Sequence, residues 1–105
     1  MKVIWTEQAV NKLEEFADFI ALDNPRIALK WTETIRNSVN KLKHFPQIGR
    51  KVPEIKRNDI REIIEGNYRV IYRIEPERIA ILTIRNCKQL LSEGDVLKTG
   101  KSDYF

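Results

Sequence analysis

The spacing of apolar residues changes once along this chain, and that change limits what the chain can fold into. Before residue 43 apolar residues recur at the three-and-four interval of helices. One stripe is Ala9, Val10, Leu13, Phe16, Ala17 and Ile20, and a second is Ala28, Trp31, Ile35, Val39 and Leu42. After residue 59 they crowd into short runs rich in Ile, Val and Tyr at 60–65, 68–74 and 78–85, which is strand behaviour. Between the halves lies Phe45-Pro46-Gln47-Ile48-Gly49-Arg50-Lys51-Val52-Pro53-Glu54, where two prolines and a glycine exclude continuous regular structure. Helices followed by strands, without alternation, indicate an α+β fold.

Local punctuation fixes the element order. Lys2-Val3-Ile4-Trp5 is a short β-rich run, and Thr6 after it is a good N-cap, with Glu7 placed to favour the positive end of a helix. Asp23-Asn24-Pro25 ends that helix, and Asn24 can cap a second one with Pro25 at its first position. So short a connection makes the two helices an antiparallel hairpin. Gly66-Asn67 between two strand runs suits a type II′ turn, and Glu75-Pro76-Glu77 turns the chain again. The expected fold is β-α-α-β-β-β, a two-helix hairpin packed on one face of a small twisted antiparallel sheet. Leu13, Phe16, Trp31, Ile35, Val70, Tyr72 and Leu82 are expected in the core. In the 68–74 strand Tyr68, Val70, Tyr72 and Ile74 should face the helices, leaving Arg69, Ile71 and Arg73 on an open face or its rim.

The chain has 105 residues, enough for one domain with a single core. We place that domain at 1–91 and a polar tail at 92–105. One Cys (Cys87) and one His (His44) leave no intrachain disulfide, no Cys-based zinc site and no His pair for a metal. No phosphate-cradling glycine loop, dinucleotide fingerprint or H-E-x-x-H motif is present, so no cofactor is expected. No apolar run approaches the length of a membrane span, and the first residues turn polar too early for a signal peptide, so a cytoplasmic protein is expected. Cys87 reads as a small apolar filler, and His44 as a complement to a helix C-terminus.

The charge is uneven. Residues 1–42 carry six bases and six acids, whereas 43–73 carry eight bases and four acids, so the whole net charge of +4 lies there. Arg61, Arg69, Arg73 and Arg85 come from three strands. On one shared face they could hold phosphate or carboxylate oxygens bidentately; alternating between faces they would be solvated rim residues. Glu54 and Glu62 could act as acid or base, but a lone carboxylate near arginines usually serves as an ion-pair partner. Metal-free RNA cleavage would need a proton acceptor and a proton donor together, a pair this sequence does not clearly supply.

These features in order resemble the RelE/ParE toxin superfamily of type II toxin–antitoxin modules. The resemblance covers about residues 1–91 and rests on the F-P-x-x-G-R-x-V-P-E loop at 45–54, Ile60-Arg61-Glu62-Ile63, Gly66-Asn67-Tyr68-Arg69-Val70-Ile71-Tyr72-Arg73-Ile74 and Ile81-Leu82-Thr83-Ile84-Arg85. The loop and the Y-R-V-I-Y strand look like the ParE branch, often labelled plasmid-stabilisation proteins. The resemblance implies a bacterial toxin that inhibits DNA gyrase by binding, neutralised by a cognate acidic antitoxin in a hetero-oligomer. The alternatives it leaves are a RelE-like ribosome-dependent mRNA endonuclease, whose partners would be the ribosome and mRNA, or a decayed toxin kept as an antitoxin-binding module. Asn86 stands where many members carry His after the last strand, which weakens the nuclease reading. On this basis Arg61, Arg69, Arg73, Arg85 and Lys88 are the candidate target-contacting or phosphate-binding residues.

Overall fold

The computed structural model describes residues 1–88 of the 105, so the polar tail expected at 92–105 lies outside the described residues, as do 89–91. Strand β1 (Lys2–Trp5) leads into helices α1 (Glu7–Asp23) and α2 (Pro25–Asn40) and a 3₁₀ turn (Lys41–Lys43). Strands β2 (Arg50–Lys51), β3 (Ile60–Glu65), β4 (Tyr68–Ile74) and β5 (Arg78–Asn86) follow. Both predicted caps form. The Thr6 hydroxyl oxygen accepts from the Ala9 amide at 3.2 Å, and Asn24 Oδ1 accepts from the Arg26 and Ile27 amides at 3.0 and 3.3 Å. Phe16 and Trp31, about equally far from Asn24 on either side, meet edge-on, so the helices fold back on each other.

The fold is α+β as expected, and the sheet order is β1-β5-β4-β3-β2. Strands β3, β4 and β5 make the expected antiparallel meander. The β3–β4 turn has positive φ at Gly66 (59°) and not at Asn67, the pattern a type II′ turn requires. The sheet is mixed rather than wholly antiparallel, because β1 runs parallel to β5. The helix hairpin returns the chain so that β1 borders the last strand, a pairing that a linear pass along the sequence does not assign. β5 is therefore a central strand, and its residues Ile79–Ile84 are all fully buried.

β5 carries one residue more than β4 across from it. Tyr72 pairs with Ile81 and Ile71 with Thr83, so Leu82 is a bulge. The bulge shifts the side-chain phase, and Ile79, Ile81 and Ile84 all face the helices while Ala80 and Leu82 face the other way. The Thr6 hydroxyl donates towards both carbonyls at the bulge, Ile81 O at 2.8 Å and Leu82 O at 3.0 Å, so one buried threonine caps α1 and satisfies the irregular strand.

The helix-side core joins Ala9, Leu13, Ile35, Val39 and Leu42 to Val70, Tyr72, Ile79, Ile81 and Ile84. Phe16 and Trp31, expected in the core, are only partly buried. They stack on Tyr68 with centroid distances of 4.9 and 5.0 Å, at the end of β4 where the sheet stops and covers them from one side only. The opposite sheet face is not open in its middle. Val52 and Ile55 of the loop fold under it and, with Ile60, Ile71, Ala80 and Leu82, form a second small core. Each aliphatic side chain buried there adds roughly 1.5–3 kcal/mol of transfer free energy. Cys87 is exposed in the turn after β5 and fills no core, because the strand ends before it.

Candidate functional site

The loop between the 3₁₀ turn and β3 is fixed to the sheet at several points. The Tyr72 hydroxyl donates to Pro46 O at 2.8 Å and accepts from the Gly49 amide at 2.9 Å. Burial pushes the Tyr72 phenol above its ordinary pKa, opposed by the Gly49 amide and by the positive charge of Arg61. Ile55 and Lys56 amides both reach Val52 O at 3.1 Å, a single helical turn that ends with Lys56 at φ 57°.

Glu54 and Glu62 are ion-pair partners. Arg69 Nε donates to Glu62 Oε1 at 2.6 Å, and its Nη1 and Nη2 grip Glu54 Oε2 and Oε1 at 2.7 and 2.8 Å. Arg50 Nε takes the other Glu62 oxygen at 2.6 Å. The Glu62 side chain has no exposed surface and bridges two guanidinium groups, while Arg69 is buried. The Glu54 hydrogen bond, with Glu62 adding to it against the opposing effect of burial, raises the Arg69 pKa still further. This network ties the loop (Glu54), its short strand β2 (Arg50) and the sheet (Glu62, Arg69) into one unit.

The five basic candidates do not converge on one accessible spot. Pairing places Arg69, Arg73 and Arg85 on the loop-covered face and Arg61 on the helix side, since Arg61 pairs with Tyr72 and Ile60 with Arg73. Arg69 and Arg85 stand directly opposite across β4 and β5. Arg61 bends to the loop backbone, donating to Gly49 O at 3.0 Å and Asn58 O at 3.2 Å. Arg73 holds Glu75 at 2.8 Å, and Glu75 also takes Arg78 at 2.5 Å. Arg85 is half-buried, and Lys88 is exposed beyond the strand end. His44 is exposed at the end of the 3₁₀ turn. Among the described residues, no group of three or more His, Cys, Asp or Glu is placed to hold a metal ion, and no helix is long and apolar enough to cross a membrane.

An apolar surface surrounds the turn of the helix hairpin. Phe19, Leu22, Ile27 and Leu29 are exposed around the hairpin turn, Leu22 at 85%. A cleft of about 470 Å³ lined by Glu15, Phe16, Phe19, Tyr68, Asn86 and Lys88 lies on one side of Tyr68. A second, of about 360 Å³, lies on its other side against Ile27, Lys30, Trp31 and Glu65. Together they make a groove where the helices meet the β3–β4 turn. In α1, Phe19 and Leu22 fall outside the core stripe.

The family model described as "ParE toxin of type II toxin-antitoxin system, parDE" matches residues 3–91. Among solved structures, the chain is similar to one from the "Chromosomal ParDE TA system from P. aeruginosa", at 26% identity and a TM-score of 0.68. That likeness covers 82% of this chain and 95% of the other. No curated protein matches the chain.

Proposed function

The chain belongs to the ParE toxin family of type II toxin–antitoxin systems, and from that premise we propose that it arrests bacterial growth in the cytoplasm by binding DNA gyrase and is neutralised by an acidic antitoxin. The observation that carries this reading is the groove around Tyr68. It is apolar and open, with one lysine and one glutamate on each side (Lys88 and Glu15, Lys30 and Glu65), and its centre suits the apolar stripe of an amphipathic helix. The net charge of +4 favours encounter with an acidic chain. The similar structure comes from a system whose title names a toxin and its antitoxin together, which supports a partner of this kind.

Binding, rather than strand cleavage, fits the way the arginines are used. Arg61, Arg69 and Arg73 are all engaged with groups of the protein itself. We assign these three to holding the loop and its flanks, and Lys88 to the antitoxin's carboxylates.

The test is induction in bacterial cells with and without the cognate antitoxin gene, timing DNA-damage signalling against mRNA cleavage. Growth arrest with DNA-damage signalling first, relieved by the antitoxin, is expected. If mRNA cleavage comes first, the ribosome replaces gyrase as target. If growth continues, the chain is an antitoxin-binding module only.

A further inference from the structure

A second apolar surface lies at the other end of β4 from the Tyr68 groove. Phe45, Pro46, Gln47 and Ile48 with Met1 and Ile74 line a shallow cleft of about 470 Å³. Phe45 is 62% exposed and Ile48 58%. Ile74 and Tyr68 are the two ends of the seven-residue strand β4, so the two surfaces are about 20 Å apart along it. A helix seated at Tyr68 leaves this cleft free.

The Phe45–Ile48 segment is a tight turn held in one shape. The Ile48 amide donates to Phe45 O at 3.1 Å, and Tyr72 grips Pro46 O and the Gly49 amide from beneath. The Met1 nitrogen donates to Lys43 O at 2.6 Å and keeps Met1 beside the turn. Two large apolar side chains are thus pushed into water from backbone that has little freedom left to lose. Docking on them costs little ordering entropy, the condition under which a few residues dominate an interface.

The surroundings specify the partner's charge. Lys43, whose carbonyl oxygen takes the Met1 nitrogen, brings a cation to the cleft, while Arg50 further along the loop is paired with Glu62. Lys2 adds a cation next to Met1. Two acidic residues adjoin Ile74: Glu75, held by Arg73 and Arg78, and Asp59, whose carbonyl oxygen takes the Ile74 amide and whose carboxylate is held by Arg57. A second copy of this chain would set Lys2 and Lys43 against the same two lysines and be repelled. A nucleic acid would match the charge, but single-strand binders offer successive aromatic platforms, and here Phe45 stands among aliphatic side chains. An acidic protein surface bearing an apolar anchor fits both the centre and the rim.

We propose that the Phe45–Ile48 turn, with Met1 and Ile74, is the surface by which this toxin engages its protein target, and that the target presents an acidic patch around an apolar side chain. This inference rests on the toxin reading above and adds that target and antitoxin use opposite ends of β4.

The test compares the full-length wild type with the double variant Phe45→Ser/Ile48→Ser and with Lys43→Glu. Three quantities are measured: growth arrest on induction, affinity for the cognate antitoxin, and melting temperature. Both changed side chains are exposed, so the melting temperature should hold within a few degrees. The double variant is expected to arrest growth at least about tenfold less effectively, as loss of an interface anchor does. Lys43→Glu should show a smaller loss, and antitoxin affinity should stay within about twofold for both. Growth arrest as strong as wild type in the double variant overturns the proposal. Antitoxin affinity falling in step with toxicity overturns it too, because the surface is then the antitoxin's. So does loss of single-stranded DNA or RNA binding that accounts for the lost arrest. A wild type that arrests nothing removes the toxin reading and this inference together, which separates that failure from a variant failing against an active wild type.

Discussion

Gly49 and Tyr72 touch so closely that the glycine is obligatory. A Cβ built on Gly49 would lie 2.6 Å from the Tyr72 hydroxyl oxygen, 2.8 Å from its ring, and 2.6 Å from the Glu62 carbonyl oxygen. The glycine of the F-P-x-x-G loop is therefore there for proximity, not for a left-handed backbone. Gly49→Ala should cost about 1–3 kcal/mol, the usual price of overpacking. For a domain of this size that lowers the melting temperature by roughly 4–8 °C per kcal/mol. Thermal unfolding followed by circular dichroism checks it, and an unchanged midpoint would mean that the loop can move off the sheet freely.

Tyr72→Phe leaves the ring in place and removes the donor to Pro46 O and the acceptor for the Gly49 amide. Leaving those buried groups unsatisfied should cost about 1–3 kcal/mol. The variant also tests an alkaline effect. Below about pH 10 the phenol is protonated in both states. As pH rises through that value the unfolded chain ionises first, because burial keeps the folded phenol protonated to higher pH. Stability contributed by Tyr72 is thus whole below about pH 10 and falls above it, by at most about 1.4 kcal/mol per pH unit for one proton. Urea denaturation between pH 8 and 11 should show a steeper alkaline decline in the wild type than in Tyr72→Phe. Parallel curves would contradict the argument.

Arg69→Ala should behave as a folding variant before anything else. It strands the fully buried Glu62 with Arg50 alone and frees Glu54 from the sheet. Breaking a buried pair from one side typically costs about 3–5 kcal/mol. Arg69→Lys keeps the charge but cannot reproduce the fork on Glu54, so it should fall in between. Denaturant midpoints should rank wild type, Lys, Ala. Should Arg69→Ala keep its midpoint yet lose growth arrest, Arg69 would be a target contact rather than a tether.

The helices, their caps, the Gly66 turn and the meander were legible because each depends on neighbours in sequence. Asn24 caps residues two and three places on, and Gly66 bends its own backbone. The parallel seat of β1 beside β5 joins residues more than seventy positions apart, and no local pattern encodes it. The loop was legible as irregular and not as a cover. Only the sheet's second face explains why Val52 and Ile55 sit among its prolines. The arginines were visible by position and Glu54 and Glu62 as ion-pair partners, whereas which arginine takes which carboxylate was not. Whether Arg69 meets a phosphate or Glu54 is decided by where the loop folds, and that follows from Tyr72, Gly49 and the second core together.

The hairpin end supplies the remaining test. Phe19 is 69% exposed, lines the cleft beside Tyr68 and supports nothing in the core. Phe19→Asp therefore removes apolar area from the proposed antitoxin groove and sets a negative charge against an acidic partner. Losing a well-placed aromatic at an interface commonly costs about 2 kcal/mol or more, a factor of roughly 30 in affinity. The like charge adds to that and should weaken as salt is raised. The expected result is a toxin with unchanged melting temperature and growth arrest that the antitoxin no longer relieves, with calorimetry showing the loss of affinity. Trp31→Ala would be a poor substitute, because Trp31 also packs against the helix-side core and its removal would confuse binding with folding. If Phe19→Asp binds the antitoxin as the wild type does, the antitoxin lies elsewhere on the chain, and the open outer edge of β3 beyond its pairing with β2 at Arg61 and Glu62 becomes the place to look.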